Sequence, residues 1–445
     1  MLLSCNIFLR ASISHQKEAL GQGIGGVMGF LTNRYKAIRC SELFLLIHRM
    51  TGSGHHGATR FKLMAVAKFR LLCLTLIMPV LPALLACAQE SASADFNRFQ
   101  DIIDEQVEAG MPGVTAYVRV GDDVWTGTAG LASIETGKAM TTDTAIRMAS
   151  ITKIFTLAVL YQMIEEGHFT RDTVLEDLLP KAVLEGLPNT DRITIGQLMD
   201  HRAGLVNFTG LDSYSEFRWR TPENRARMID PLELIDLVRG LPAGFEPGTQ
   251  EEYCNTCYFL LGLIIEEIDA RPLHASYRAR IFDPYGFRHV YMEGYEVPRG
   301  PVAGSYATIF PPGLEMGLVT EDMKFLREGD LKVVNMAAEA PDTYNSWAYS
   351  AGALNGTARD GGHLVNLAMS GDLTVWTDEQ ADSLLDPDGT AIFGWSGGSH
   401  GIAADLVGIP TADITIAMFY NGNVGNWDRN AAMDLMIAAA TRKSD

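Results

Sequence analysis

The sequence predicts an α+β fold: an antiparallel sheet formed from both terminal regions, flanked by helices, with a mainly helical region inserted between its halves. Three observations predict it. Gly113–Val120 (GVTAYVRV) and residues 124–132 (VWTGTAGLA) flank Gly121-Asp122-Asp123 and read as a hairpin. Ile402–Ile409 (IAADLVGI) and Ile414–Tyr420 (ITIAMFY), with Pro410 in the turn, read as another. Between them, residues 155–300 carry mostly helical apolar spacing and loops. Strands at both ends with helices inside are the signature of a shared sheet covered by helices.

The elements follow in order. Residues 144–148 read as extended. After them Ile154, Leu157, Ala158, Tyr161 and Ile164 recur at helical spacing, and Gly167 stops that helix. The turn Glu246-Pro247-Gly248 precedes a second apolar helix over residues 257–268. Residues 426–441 read as a closing helix.

Composition describes an acidic, exported protein. The chain of 445 residues has a net charge of −18. Residues 1–63 carry a balance of +6 and residues 89–445 a balance of −26. A body that acidic repels phosphate backbones, so nucleic acid is not an expected partner. Lys68 and Arg70 precede an apolar run over residues 71–86 that ends in small residues, a signal-peptide pattern over residues 64–88. The run falls short of the ~20 residues of a spanning helix and contains Pro79 and Pro82. Residues 1–63 lack periodic patterning and read as an extension or a mis-assigned start, with Met64 as the true one. Leu84-Leu85-Ala86-Cys87 fits a lipoprotein box, which would attach the chain to a membrane through lipidated Cys87. Ala86-Cys87-Ala88 fits ordinary cleavage equally, and residues 89–95 would form a polar tether in either case. The expected location is the bacterial periplasm, free or anchored, with residues 89–445 as the hydrolase domain.

Two motifs carry the chemistry. Ser150-Ile151-Thr152-Lys153 opens the first helix, and a serine and lysine three apart share a helix face, so the ammonium sits beside the hydroxyl it helps to deprotonate. Tyr253-Cys254-Asn255 opens the second helix and is the only Y-x-N in the chain. A second S-x-x-K, at Ser14 to Lys17, lies in unpatterned sequence and carries no weight. Either motif alone would read as a capped helix start; the two together read as a serine acyl-transfer site.

With these motifs the sequence resembles the penicillin-recognising serine hydrolases, the superfamily of class C β-lactamases, D-alanyl-D-alanine peptidases and family-eight carboxylesterases. The resemblance runs over residues 92–445 and includes ITIGQLMDHRAGL, FDPYGF and AGALNGTARD in the family order. It implies a cleft between sheet and helical region, Ser150 as nucleophile, Lys153 and Tyr253 as proton-transfer groups, and Asn255 orienting Lys153 and binding substrate. It also implies an oxyanion hole of the Ser150 and Gly398 backbone N–H groups.

The third family motif departs from its best-known form. Where β-lactamases and peptidases carry Lys-Thr-Gly or His-x-Gly, this chain has Trp395-Ser396-Gly397-Gly398. Trp395 replaces the cation, as in the Trp-Gly-Gly form of the family-eight esterases. An indole offers an apolar wall and one N–H and cannot pair with an anion as an ammonium does. Trp395 and Ser396 are expected to line the acyl-binding wall, with Gly397 beside them, and His400 is close enough to compensate partly for the lost cation. The expected substrate is a small acyl compound, most simply a carboxylic ester. A β-lactamase or D-alanyl peptidase, or a catalytically silent scaffold, are the alternatives.

Rival readings of single residues are weaker. Gly394-Trp395-Ser396-Gly397-Gly398 is a literal G-x-S-x-G, yet the only later histidine, His400, is four residues on, which defeats the α/β-hydrolase order. His201 in HRAGL reads as part of a structural turn, and His168 and His363 as surface or helix-end residues without obvious partners. Cys254 and Cys257 lack a second Cys/His cluster for zinc. They read as two small buried thiols, a disulfide being the lesser alternative. No metal or cofactor is implied.

Overall fold

The computed structural model describes residues 96–309, 325–327, 332–377, 392–423 and 428–441. The extension over 1–63, the signal segment, Cys87 and the tether lie outside the described residues. Among the described residues, no helix is long and apolar enough to cross a membrane.

The fold is α+β. Helix α1 (Phe96–Glu108) leads into β1 (Gly113–Val120), β2 (Asp123–Ser133) and β3 (Lys138–Ala139). The last strands are β10 (Phe393–Ser399), β11 (Ile402–Ile409) and β12 (Ile414–Tyr420). Together they form a six-stranded sheet in the order β10-β11-β12-β1-β2-β3. The halves join where β1 pairs antiparallel with β12, from Val114↔Tyr420 to Val120↔Ile414. Both expected hairpins are present, the first with a slightly longer second strand.

One sheet face is covered by helix α4 (Ala358–Ser370), which approaches closely because Gly361 lies against Phe419 and Leu406, and Gly362 against Tyr117. Helix α1 packs on β1 and β2, and the closing helix α5 (Arg429–Thr441) packs on α1 and β12. Helix α1 has no counterpart among the elements expected from the sequence.

The inserted region is helical, as expected, and contains α2 (Thr152–Glu165) and α3 (Asn255–Asp269). Helix α2 is not simply amphipathic. Phe155, Val159, Leu160 and Met163 are buried together with Ile154 and Ala158, whereas Leu157 and Ile164 are only half-buried. A helix apolar all round belongs inside a domain, and burying each such side chain contributes about 1.5–3 kcal/mol.

A short ladder holds the start of α2. β4 (Ile146–Arg147) pairs with β9 (Leu354–Gly356), which pairs with β5 (Tyr291–Met292). Arg147 Nη2 and Nε donate to the two carboxylate oxygens of Glu293, each at 2.8 Å, and both residues are almost completely buried. Glu293 also accepts from the Asn355 side chain and the Asn345 amide. Losing one partner of such a pair typically costs about 3–5 kcal/mol, because the other charge stays buried. The backbone three residues before Ser150 is therefore rigidly held.

Candidate active site

Ser150 lies in a 3₁₀ turn (Ala149–Ile151) just before α2, so Lys153 falls in the first helical turn. Ala149 has a φ of 45°, a left-handed conformation that is costly for a residue with a Cβ. The Met148 amide donates to Leu354 O at 2.9 Å, and Thr152 Oγ1 accepts from the Leu354 amide at 3.1 Å. The small ladder thus brackets the strained turn.

The four residues of the two motifs meet. Ser150 Oγ and Tyr253 Oη are 2.6 Å apart. Lys153 Nζ donates to Ser150 Oγ at 3.3 Å, Asn255 Oδ1 at 2.8 Å and Ala351 O at 2.8 Å. All three ammonium donors are used, and Ser150 Oγ and Tyr253 Oη share one hydrogen bond in which either oxygen can donate. Burial pulls the Lys153 pKa below its usual value, and the neighbouring Tyr253 opposes that pull. The ammonium also lies 4.8 Å from the Tyr253 ring centre and 5.2 Å from that of Tyr258. Lys153 is 5% exposed, whereas Ser150, Tyr253 and Asn255 are half-buried and reachable.

Asn255 is itself held: its Nδ2 donates to Thr209 Oγ1 at 3.1 Å and its amide to Asn207 Oδ1 at 3.1 Å. Neither Thr209 nor Asn207 is among the residues expected from the sequence, which gives no spacing signal across such separations.

The cysteines correct the expectation of two free thiols: Cys254 and Cys257 form a disulfide, S–S 2.01 Å. The helix start brings their Cα atoms to 5.3 Å, within bridging range. Cys254 Sγ also accepts the Cys257 amide, capping α3.

Strand β10 brings its glycines to the nucleophile. A Cβ on Gly397 would stand 2.1 Å from Met148 O and 3.1 Å from the Ser150 amide nitrogen, so only glycine permits the approach. Trp395 shares that strand face by alternation and stacks on Trp376 at 5.2 Å, which stacks in turn on Phe393 at 4.5 Å.

Ser396 departs from its expected place on the acyl wall. Alternation turns it to the opposite sheet face, where Oγ donates to Asp405 Oδ1 at 2.8 Å. Asp405 is bound in turn by Arg429, Nη2–Oδ1 2.5 Å and Nε–Oδ2 2.8 Å. Ser396 is thus committed to a sheet-face network and lies within a strand, not at a nucleophile elbow. Arg429 is a cation that the motifs do not point to; it also donates to Gly397 O at 3.2 Å, so it braces β10 while its charge is paired.

The histidines are otherwise occupied. His400 packs edge-on against Trp219, ring centres 5.0 Å apart, while its carbonyl accepts from Tyr344 Oη. His363 and His168, expected without partners, have them: His363 Nε2 is 2.7 Å from Tyr285 O and His168 Nε2 is 3.2 Å from Glu166.

The His201 pKa is pushed down to about 3, by burial first and Lys153 second; that of His400 is lowered to about 4, by burial and then Arg218. An unfolded chain protonates both below about 6.5. The unfolded state therefore binds more protons below that pH, and the stability is fully present above about 6.5 and lost as pH falls toward the folded values. The melting temperature, followed from pH 7.5 to 4.5, is expected to fall below about pH 6.5. Replacing His400 with Gln should shrink that fall, and an unchanged fall would contradict the assignment of His400.

A family profile described as beta-lactamase matches residues 99–441. The chain belongs to the beta-lactamase family. It is a serine hydrolase of the penicillin-binding protein superfamily and its fold. Within that family it is similar to penicillin-binding protein 4 of Amycolatopsis lactamdurans, 25% identical over 353 residues, covering 74% of this chain and 86% of that protein. It is similar to esterase EstB of Burkholderia gladioli, 29% identical over 199 residues, 43% of this chain and 50% of the esterase. The chain therefore spans about half the length of that relative. Among solved structures it resembles a D-stereospecific amidohydrolase from Streptomyces sp., TM-score 0.62 at 22% identity, covering 79% of this chain and all of that one.

Proposed function

We propose that this beta-lactamase-family chain hydrolyses carboxylic esters or related acyl compounds through an acyl-enzyme on Ser150. The observation that carries the reading is the placement of Ser150 Oγ between Tyr253 Oη at 2.6 Å and Lys153 Nζ at 3.3 Å. In acylation Ser150 Oγ attacks the carbonyl carbon, its proton passes to Tyr253, and the tetrahedral intermediate collapses as that proton leaves with the alcohol. In deacylation Tyr253 takes a proton from water, the hydroxide attacks the acyl carbonyl carbon, and the bond to Ser150 Oγ breaks as Tyr253 returns the proton to Ser150, releasing the acid. The Lys153 ammonium stands beside the oxygens that exchange the proton, and Asn255 and Ala351 O keep it aimed.

The Ser150 and Gly398 N–H groups form the oxyanion hole in this reading, Gly397 bringing the strand close enough. Preorganised donors of this kind are worth about 2.7–4 kcal/mol each. The ester preference rests on the Trp395, Trp376 and Phe393 stack, apolar where a carboxylate-binding cation would stand. The EstB similarity supports it. Similarity to penicillin-binding protein 4 supports a second reading, turnover of a β-lactam or D-alanyl peptide at the same serine.

Parallel assays with short-chain p-nitrophenyl esters and a chromogenic cephalosporin separate the two. Ester turnover with negligible cephalosporin hydrolysis is expected, and the reverse would establish the second reading. Trp395→Lys is expected to shift preference toward carboxylate-bearing esters; an unchanged preference would remove Trp395 from the substrate wall.

A further inference from the structure

His201 touches the reactive tyrosine's segment in three ways. Its backbone carbonyl accepts the Glu252 amide at 2.9 Å, and its Nδ1 accepts the Cys254 amide at 3.1 Å. The amides immediately before and after Tyr253 thus end on one residue. The imidazole lies against the Tyr253 ring, centres 4.7 Å apart, and against the Tyr258 ring at 5.1 Å. Tyr258 is anchored through its hydroxyl to Met199 O at 3.1 Å. His201 is 7% exposed and has a φ of 61°, a left-handed backbone that turns the chain after the Ile195–Met199 helix.

We propose that His201 is a positioning residue for Tyr253, pinning both flanking amides and walling the phenol ring so that Oη stays on Ser150 Oγ. The inference rests on Tyr253 acting as the base. The Cys254 hydrogen bond requires an unprotonated Nδ1, which places any ring proton on Nε2. A protonated ring would surrender that bond and set a second cation near Lys153. The groups facing the imidazole are Tyr253, Tyr258 and Lys153, and its depressed pKa agrees with the geometry. Proper placement of a reacting group matters steeply, a 1 Å error costing on the order of 10²-fold.

Three variants separate the contacts. His201→Ala removes acceptor and ring. His201→Asn retains a short acceptor and tolerates the left-handed backbone, and His201→Phe retains the ring and leaves the Cys254 amide without its acceptor. With p-nitrophenyl acetate, His201→Ala is expected to lose about 10²-fold in kcat with little change in KM. The acidic limb of its kcat–pH profile should move, and His201→Asn should restore much of the rate and the profile. A folded His201→Ala protein with wild-type kcat and pH profile would overturn the proposal, as would rescue by His201→Phe but not by His201→Asn. If His201→Ala fails to fold, nitrogen NMR of the intact wild-type enzyme decides: an unprotonated, hydrogen-bonded Nδ1 persisting below pH 5 is expected. Ordinary titration near pH 6.5 with kcat unaffected would overturn it. Failure of the underlying reading is distinguishable: Tyr253→Phe would then retain full activity, whatever the His201 variants do.

Discussion

Tyr253→Phe and Lys153→Ala each lower kcat for a p-nitrophenyl ester by about 10²–10⁴-fold, the range over which a positioned acid–base group contributes. The two changes fail differently. Tyr253→Phe keeps a ring between Lys153 and His201 but loses the oxygen 2.6 Å from Ser150 Oγ, so KM and the melting temperature should barely move. Removing Lys153 leaves Asn255 Oδ1 and Ala351 O without their donor, so some stability should go with the activity. The double variant should cost little more than the worse single one, because the groups act as a unit. Additive losses would mean that lysine and tyrosine serve separate steps. Steady-state kinetics beside thermal melts check all of this.

Gly397→Ala is the second large effect, and it involves no side chain of the reaction. The added methyl would meet Met148 O at 2.1 Å, with the Ser150 and Ile151 amide nitrogens at 3.1 and 3.2 Å. All three atoms are backbone of the nucleophile turn, so β10 must move away from that turn and the oxyanion donors must separate. A loss of about 10²–10³-fold in kcat is expected, the cost of removing one such donor. Gly394→Ala, on the same strand but with nothing within 4 Å of its new Cβ, serves as control and should stay near wild type. Equal activity of the two variants would show that close approach of β10 is not needed.

What can be read from the sequence follows from how local each signal is. Ser150, Lys153, Tyr253 and Asn255 are legible because each pair sits at a helix start whose apolar pattern fixes its geometry, and the structure brings all four together. The hairpins are legible because short β-prone runs and the turn residues between them are local signals. Helix α1 escapes the sequence reading although Phe99, Ile102 and Ile103 are buried at helical spacing, a signal present but not used. Strand β4 falls within the stretch read as extended over residues 144–148, whereas the two-residue β5 leaves no period to detect, and the ladder they share is held by the Arg147–Glu293 pair 146 residues apart. Ser396 is misplaced when motif position is followed instead of strand alternation, which Asp405 and Arg429 confirm from the other face. The disulfide is underweighted because the sequence alone does not say how close two cysteines at a helix start approach.

The central claim is that Ser150 is the nucleophile. Mass spectrometry of peptides from protein treated with an activated alkyl phosphonate tests it most directly. The adduct is expected on the peptide containing Ser150, absent in Ser150→Ala and retained in Ser396→Ala. An adduct on Ser396, or none anywhere in folded, wild-type protein, would contradict the claim.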